Sequence, residues 1–116
     1  MLIGRIPGAA PDPSRTPGGS ADEAALLRRI AVGDRQAFES LYRGYFPRLT
    51  RFLERLIRRS HVVEEVLNDT MLVVWRKAAS FNGESKVSTW IFSIAYRKAL
   101  KAVKRLDEPI ESDDRD

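Results

Sequence analysis

The feature that most narrows what this chain can fold into is the return of apolar residues every three or four positions, in successive runs between Leu26 and Val103. That is the period of an amphipathic helix. A half-buried strand instead alternates strictly, and no clean alternation persists over a strand length. The expected fold class is therefore all-α, a small helical bundle of three to four main helices with connections short enough to make sequential helices neighbours. With 116 residues there is room for one compact domain.

Cap and stop residues place the helices. Ser20 with Glu23 is a capping-box signature ahead of Leu26, Leu27 and Ile30, and Gly33 stops that short helix. Asp34 suits the N-cap of a second helix, whose stripe is Phe38, Leu41, Tyr42, Tyr45 and Phe46. Pro47 interrupts, and the stripe resumes with Leu49, Phe52, Leu53, Leu56 and Ile57, which predicts a kinked or restarted helix. Arg58-Arg59-Ser60 supplies a basic end and a new N-cap. The third helix then carries Glu64 and Glu65 in its first turn, where the helix dipole favours negative charge, and Val63, Val66, Leu67, Val74 and Trp75 as apolar positions. Residues 80–88 form a loop with a turn signal at Asn82-Gly83. Ser88 or Thr89 caps a last helix reaching about Lys104, which buries Ile91, Ile94, Ala95, Ala99, Ala102 and Val103.

Composition divides the chain into a leader at 1–20, a folded domain at 21–105 and an acidic tail at 106–116. The leader holds Pro7, Pro11, Pro13 and Pro17 with Gly4, Gly8, Gly18 and Gly19, and has too little apolar surface to offset its ordering entropy, so disorder is expected there. Gly4 and Arg5 follow Met1-Leu2-Ile3 without a sustained apolar region, which is not the pattern of a signal peptide. No window is long enough for a transmembrane helix, and a cytoplasmic location is expected. The absence of cysteine excludes disulfides, thiol chemistry and cysteine-ligated zinc. His61 stands alone and reads as a solvated residue at a helix start rather than a ligand. No metal, cofactor or catalytic residue is expected, because no nucleophile–base pair can be assembled.

Charge is unevenly distributed. Between His61 and Trp75 there are three acids (Glu64, Glu65 and Asp69) and no Lys or Arg, whereas between Arg76 and Arg105 eight bases face only Glu84. From Leu106 onward the balance reverses, with six acids against Arg115. A basic section after a short acidic one suits nucleic acid on one surface and a basic partner on another.

Two constellations can carry function. In the first, Glu65, Asn68 and Asp69 share one face of the third helix, and the apolar residues take the other. A solvated acidic face is the plain reading, and a docking surface is the functional one. The second runs from Phe81 to Arg105 and interleaves Phe81, Trp90, Phe92 and Tyr96 with Lys86, Arg97, Lys98, Lys101, Lys104 and Arg105. Aromatic faces stack on unpaired bases while Lys and Arg neutralise phosphates. Trp90 also suits a core position, and Phe92 with Tyr96 makes either an exposed stripe or a second packing face.

Together these segments resemble region 2 of bacterial sigma factors, in particular the extracytoplasmic-function (ECF) group. The resemblance runs from about Asp34 to Arg105. It is carried by Ala37-Phe38-Glu39-Ser40-Leu41-Tyr42-Arg43-Gly44-Tyr45-Phe46-Pro47-Arg48-Leu49, by the acidic run ending in Val74-Trp75-Arg76, and by Ser88-Thr89-Trp90-Ile91-Phe92-Ser93-Ile94-Ala95, in that order. The resemblance implies a module that binds core RNA polymerase and recognises and melts the promoter minus-ten element. Glu65, Asn68, Asp69 and Arg76 match the positions that dock on the clamp helices of the β′ subunit. The loop Phe81 to Ser88, with Asn82, Gly83, Ser85 and Lys86, matches the one that captures a flipped base of the non-template strand. Trp90, Tyr96, Lys98 and Lys101 match the upstream edge of the bubble, and Arg97 and Arg105 extend the same basic helix.

In two respects the chain departs from the family pattern. Arg97 stands where the family often has Asn, which changes the base-reading pocket. The helix-turn-helix of region 4 is also missing, and the acidic stretch Asp107 to Asp116 resembles the start of the linker that would lead to it. These departures bring in a second hypothesis, a sigma-like interaction protein that competes for core polymerase without initiating. An anti-sigma factor is a further partner implied by the resemblance.

Overall fold

The computed structural model describes residues 20–107, which hold four α-helices and no strand. These are α1 (Ser20–Ala31), α2 (Arg35–Leu56), α3 (Ser60–Lys77) and α4 (Val87–Asp107), with a single 3₁₀ turn at Ala78–Ser80. The all-α bundle expected from the periodicity is the fold found. Each helix packs on its sequence neighbour, α2 also meets α4, and α1 rests on the 3₁₀ turn. Apart from Ser20, the expected disordered leader lies outside the described residues. So does the acidic tail from residue 108 on, whereas Leu106 and Asp107 continue α4. No described helix is long and apolar enough to cross a membrane.

Two adjacent residues make the joint between α1 and α2. Gly33 takes φ +91°, a conformation that costs a side-chain-bearing residue. There its amide donates to the Ile30 carbonyl at 2.8 Å and the Asp34 amide to the Arg29 carbonyl at 3.0 Å, closing α1 as a Schellman motif. Asp34 then starts α2. Its Oδ1 accepts from the Ala37 amide at 3.1 Å, and its Oδ2 from Arg29 Nε at 2.9 Å. The Ala37 amide first, and Arg29 next, hold the Asp34 carboxyl below the usual carboxylate range.

The helix boundaries correct several expectations. Of the two alternatives expected at Pro47, a kink or a restart, the restart is excluded, because α2 runs through it as one helix. Proline lacks the N–H that would bond the Arg43 carbonyl, but both residues are exposed, so water can serve that carbonyl instead. Arg59, not Ser60, occupies the N-cap of α3 and makes no side-chain cap bond, so Glu64 and Glu65 fall beyond the first turn. Helix α4 begins at Val87, one residue before Ser88, and extends past Lys104 to Asp107.

The core follows the apolar stripes. In α2 the buried positions are Ala37, Leu41, Tyr45, Leu49 and Leu53, a straight row at spacing four. Against it pack Leu27 and Ile30 of α1, Val63, Val66, Leu67 and Val74 of α3, and Ile91, Ile94, Ala95, Ala99 and Ala102 of α4, all buried. Val62, Met71 and Val87 join them. Phe46 is 44% exposed and Val103 only half-buried, so neither fills the interior position its spacing implied.

The buried acid is Glu23, at 3% exposure. Its Oε1 accepts from the Tyr45 hydroxyl at 2.8 Å, and its Oε2 lies 4.0 Å from Arg48 Nη1. The Arg48 guanidinium in turn sits 4.5 Å over the Tyr45 ring and 5.5 Å from the centre of the Phe92 ring. This polar unit ties α1, α2 and α4 together. Burial pushes the Glu23 carboxyl above its ordinary range, with Tyr45 and Arg48 pulling the other way. Burial and then Glu23 push the Tyr45 hydroxyl far up as well.

Candidate nucleic-acid interface

The turn between α3 and α4 is built from its two ends inward. Ser80 Oγ donates to the Lys77 carbonyl at 2.7 Å and the Phe81 amide to the Ala78 carbonyl at 3.3 Å, which fixes the entry. Val87, fully buried, fixes the exit. Between them Asn82 Oδ1 accepts from the Glu84 amide at 2.9 Å, an Asx turn, and Gly83 takes φ +81°. Asn82, Gly83, Ser85 and Lys86 are exposed on this arch and Ser88 is half-buried behind it. Phe81 and Trp90 clasp the base of the arch, their half-buried rings 5.4 Å apart at 54°. Such an arch offers polar groups at its crest and partly open aromatic faces at its foot.

The aromatic residues of α4 divide between two roles. Phe92 is a packing residue, edge-on to Phe52 at 5.0 Å and 6.1 Å from Tyr45. Tyr96 is 46% exposed. Arg97, Lys101 and Arg105 are exposed and Lys98 is half-buried. From Trp90 to Arg105 these residues extend along about 22 Å of helix, so they form a track and not a pocket.

Alongside that track, α3 and α4 enclose a groove of 590 Å³ with Lys77, Arg97, Lys98, Lys101 and Lys104 on its walls. Val73 and Ile94 also line it, with Leu100, 49% exposed, and none of the described residues on its walls is acidic. Five cations around an apolar strip can take a phosphate backbone. Lys77 was not anticipated as a site residue. Its signal was its place four residues after Val73, on a row of α3 that turns toward α4. Leu100 gave no signal, since a helical leucine ordinarily reads as core.

On α3, Glu65, Asn68 and Asp69 are exposed together, and Asn68 Oδ1 accepts from the Tyr42 hydroxyl at 3.3 Å. Arg76 is exposed in the last turn, about 16 Å along the axis from Glu65, so it is not in that cluster. Beyond Asn68 lies an open groove of 740 Å³ between α2 and α3, lined by Phe38, Tyr42, Leu72 and Trp75 among others. On the other side Glu65 and Asp69 share a cleft with Lys98, Lys101 and Arg105, and Arg105 Nη2 lies 3.9 Å from Glu65 Oε1. The acidic and basic constellations, separate in sequence, therefore border one another.

Comparison with known proteins gives a consistent family. Residues 41–108 match Sigma-70 region 2. A protein of Mycobacterium ulcerans named ECF RNA polymerase sigma factor SigK is 34% identical over 89 residues, covering 76% of this chain and 48% of that protein. The protein of the same name in Mycolicibacterium vanbaalenii is 32% identical over 105 residues, or 90% of this chain and 52% of its own. ECF RNA polymerase sigma factor SigM of Mycobacterium tuberculosis is 34% identical over 83 residues, 72% and 42% of the two chains. The chain thus spans about half the length of the curated relatives it matches. No solved structure matches it.

Proposed function

The chain belongs to the sigma-70 region 2 family, and from that premise we propose that it acts in the bacterial cytoplasm as a transcription-initiation module, binding core RNA polymerase and capturing melted promoter DNA. The observation that carries this reading is the division of the α3–α4 hairpin into a carboxylate edge and a cationic groove that meet, with an aromatic-footed loop at the hairpin's turn. Glu65, Asn68 and Asp69 receive the basic face of the β′ clamp helices, and Arg76 contacts the same partner farther along.

The loop from Phe81 to Ser88 takes a base of the minus-ten element from the non-template strand. Flipping a base out of the duplex costs a few kcal/mol, which stacking on Phe81 or Trp90 and hydrogen bonds from the arch offset. Tyr96 stacks at the upstream edge. Arg97, Lys98, Lys101 and Arg105, joined by Lys77 and Lys104, neutralise phosphates and supply affinity with little sequence content.

The test is capture of purified chain by bacterial core polymerase, followed by abortive transcription on duplex and premelted promoters. Binding with initiation on the premelted bubble is the expected result. Binding without initiation would favour the competitor, and no binding would remove the polymerase from the reading. In parallel, Lys98→Ala with Lys101→Ala should weaken single-stranded oligonucleotide binding, lower its salt slope by about 1.4, and spare polymerase capture.

A further inference from the structure

We propose that the row of arginines along the C-terminal half of α2 is a second phosphate track, onto which a DNA strand passes as it leaves the loop between α3 and α4; this rests on the reading of that loop as the site of base capture. From Arg48 to Arg59 the chain carries five arginines and one acid, Glu54. Arg48, Arg51 and Arg55 stand three and four residues apart and so share one face of α2. Glu54 lies off that row, toward Ser60 and Val63 of α3. Arg51, Arg55, Arg58 and Arg59 are exposed, and none of them has an ion-pair partner among the described residues.

Packing ties the row to the loop. At its near end the Arg48 guanidinium, beside buried Glu23, sits 5.5 Å from the centre of the Phe92 ring, and Phe52 meets the same ring edge-on at 5.0 Å. Phe92 is four residues beyond Ser88, about 6 Å along α4, so the row starts beside the loop's exit. The α3–α4 groove follows another flank of the same helix, since its Arg97 lies five residues from Phe92 and about 140° round the axis. The loop thus stands where two cationic tracks come together, one on each flank of α4.

The chemistry of the row suits phosphate. The planar fork of arginine binds two phosphate oxygens at once, whereas lysine, which predominates in the α3–α4 groove, acts as a point charge. Arg48 to Arg55 covers about 10 Å of helix, and Arg58 and Arg59 carry the charge on to the start of α3. That helix begins without a side-chain cap bond, so its first amides, at the positive end of the helix dipole, add donors for an anion there. A lipid surface would want an apolar anchor among the cations, but Phe52 and Leu56 beside the row are both half-buried.

Fluorescence anisotropy on the full chain tests the path, with oligothymidylates of about six and about twenty nucleotides as probes. Arg51→Gln with Arg55→Gln should weaken binding of the long probe about three- to tenfold at low salt and lower its salt slope by about 1.4. The short probe, held by the loop and α4 alone, should be unaffected. The same loss of charge elsewhere, in Arg28→Gln with Arg35→Gln, should leave both probes unchanged.

Equal losses on the two probes, or an equal loss from the Arg28 and Arg35 pair, would reflect net charge and overturn the second track. It is overturned as well if the Arg51 and Arg55 pair has no effect while Lys98→Ala with Lys101→Ala still weakens binding. In that case, loss of binding to phosphatidylglycerol vesicles would assign the row to a membrane instead. If neither the arginine nor the lysine pair matters, the DNA reading of α4 itself fails, and the continuation fails with it.

Discussion

At Glu23 a carboxyl group is enclosed between a tyrosine hydroxyl and a guanidinium, and its proton affinity is raised chiefly by burial. Because its folded-state pKa lies above the unfolded value, its contribution to stability is fully present below the ordinary carboxylate range. That contribution is lost as pH rises through the raised value. Glu23→Gln keeps the acceptor for Tyr45 and the volume, so it should flatten this part of the pH profile and match the native protein at neutral pH or exceed it. Glu23→Ala leaves a buried hydroxyl unpaired and should cost about 1–3 kcal/mol. Urea denaturation across mildly acidic to neutral pH distinguishes the two, and equal losses in both variants would assign the stability to the Arg48 ion pair. Sequence alone did not reveal this burial. The spacing of Ser20 and Glu23 satisfies a capping box, and only the packing of α1 on Tyr45 shows that the side chain turns inward.

At the scale of the elements, the apolar period located all four helices, because burial of one face is what the period encodes. It was less informative about their ends. Ser60, Ser88 and Thr89 are all good cap residues, yet α3 starts one position and α4 two or three positions before the expected first turn, with Val62, Val63 and Val87 buried at those starts. The α1–α2 joint is different, for there the local signal and the packing agree. Gly33→Ala should cost about 1–2 kcal/mol from backbone strain alone, since nothing lies within 4 Å of the added methyl group. Thermal denaturation checks it, and a neutral result would mean that the joint can relax. Asp34→Asn retains a cap but not the charge facing Arg29. The folded-state pKa of Asp34 is depressed, so its stabilisation exists above the unfolded value and is lost as pH falls through the folded one. The Asn variant should lack that acid-side loss while remaining well folded by circular dichroism.

For the molecule as a whole, the candidate residues were largely legible, but their arrangement was not. Glu65 and Asp69 lie some thirty positions before Lys98 and Arg105, and no spacing rule brings them together. Packing of α3 on α4 does so, and the proposed polymerase and DNA surfaces share a border as a result. Charge changes on one surface should therefore register on the other. Asp69→Lys should abolish core-polymerase capture and also raise oligonucleotide affinity by about two- to fivefold at low salt, by removing a carboxylate beside the cationic track. Fluorescence anisotropy at two salt concentrations would show it, and an unchanged affinity would mean that the surfaces are electrostatically independent. Helix α1 bears on how such a molecule can be divided. It precedes the stretch 41–108 that matches the family, yet it supplies Leu27, Ile30 and the buried Glu23 to the interior. A fragment cut to the matched stretch would carry an open apolar trough where α1 had been, so the portable unit for grafting or for screening inhibitors begins at Ser20, twenty-one residues ahead of Leu41.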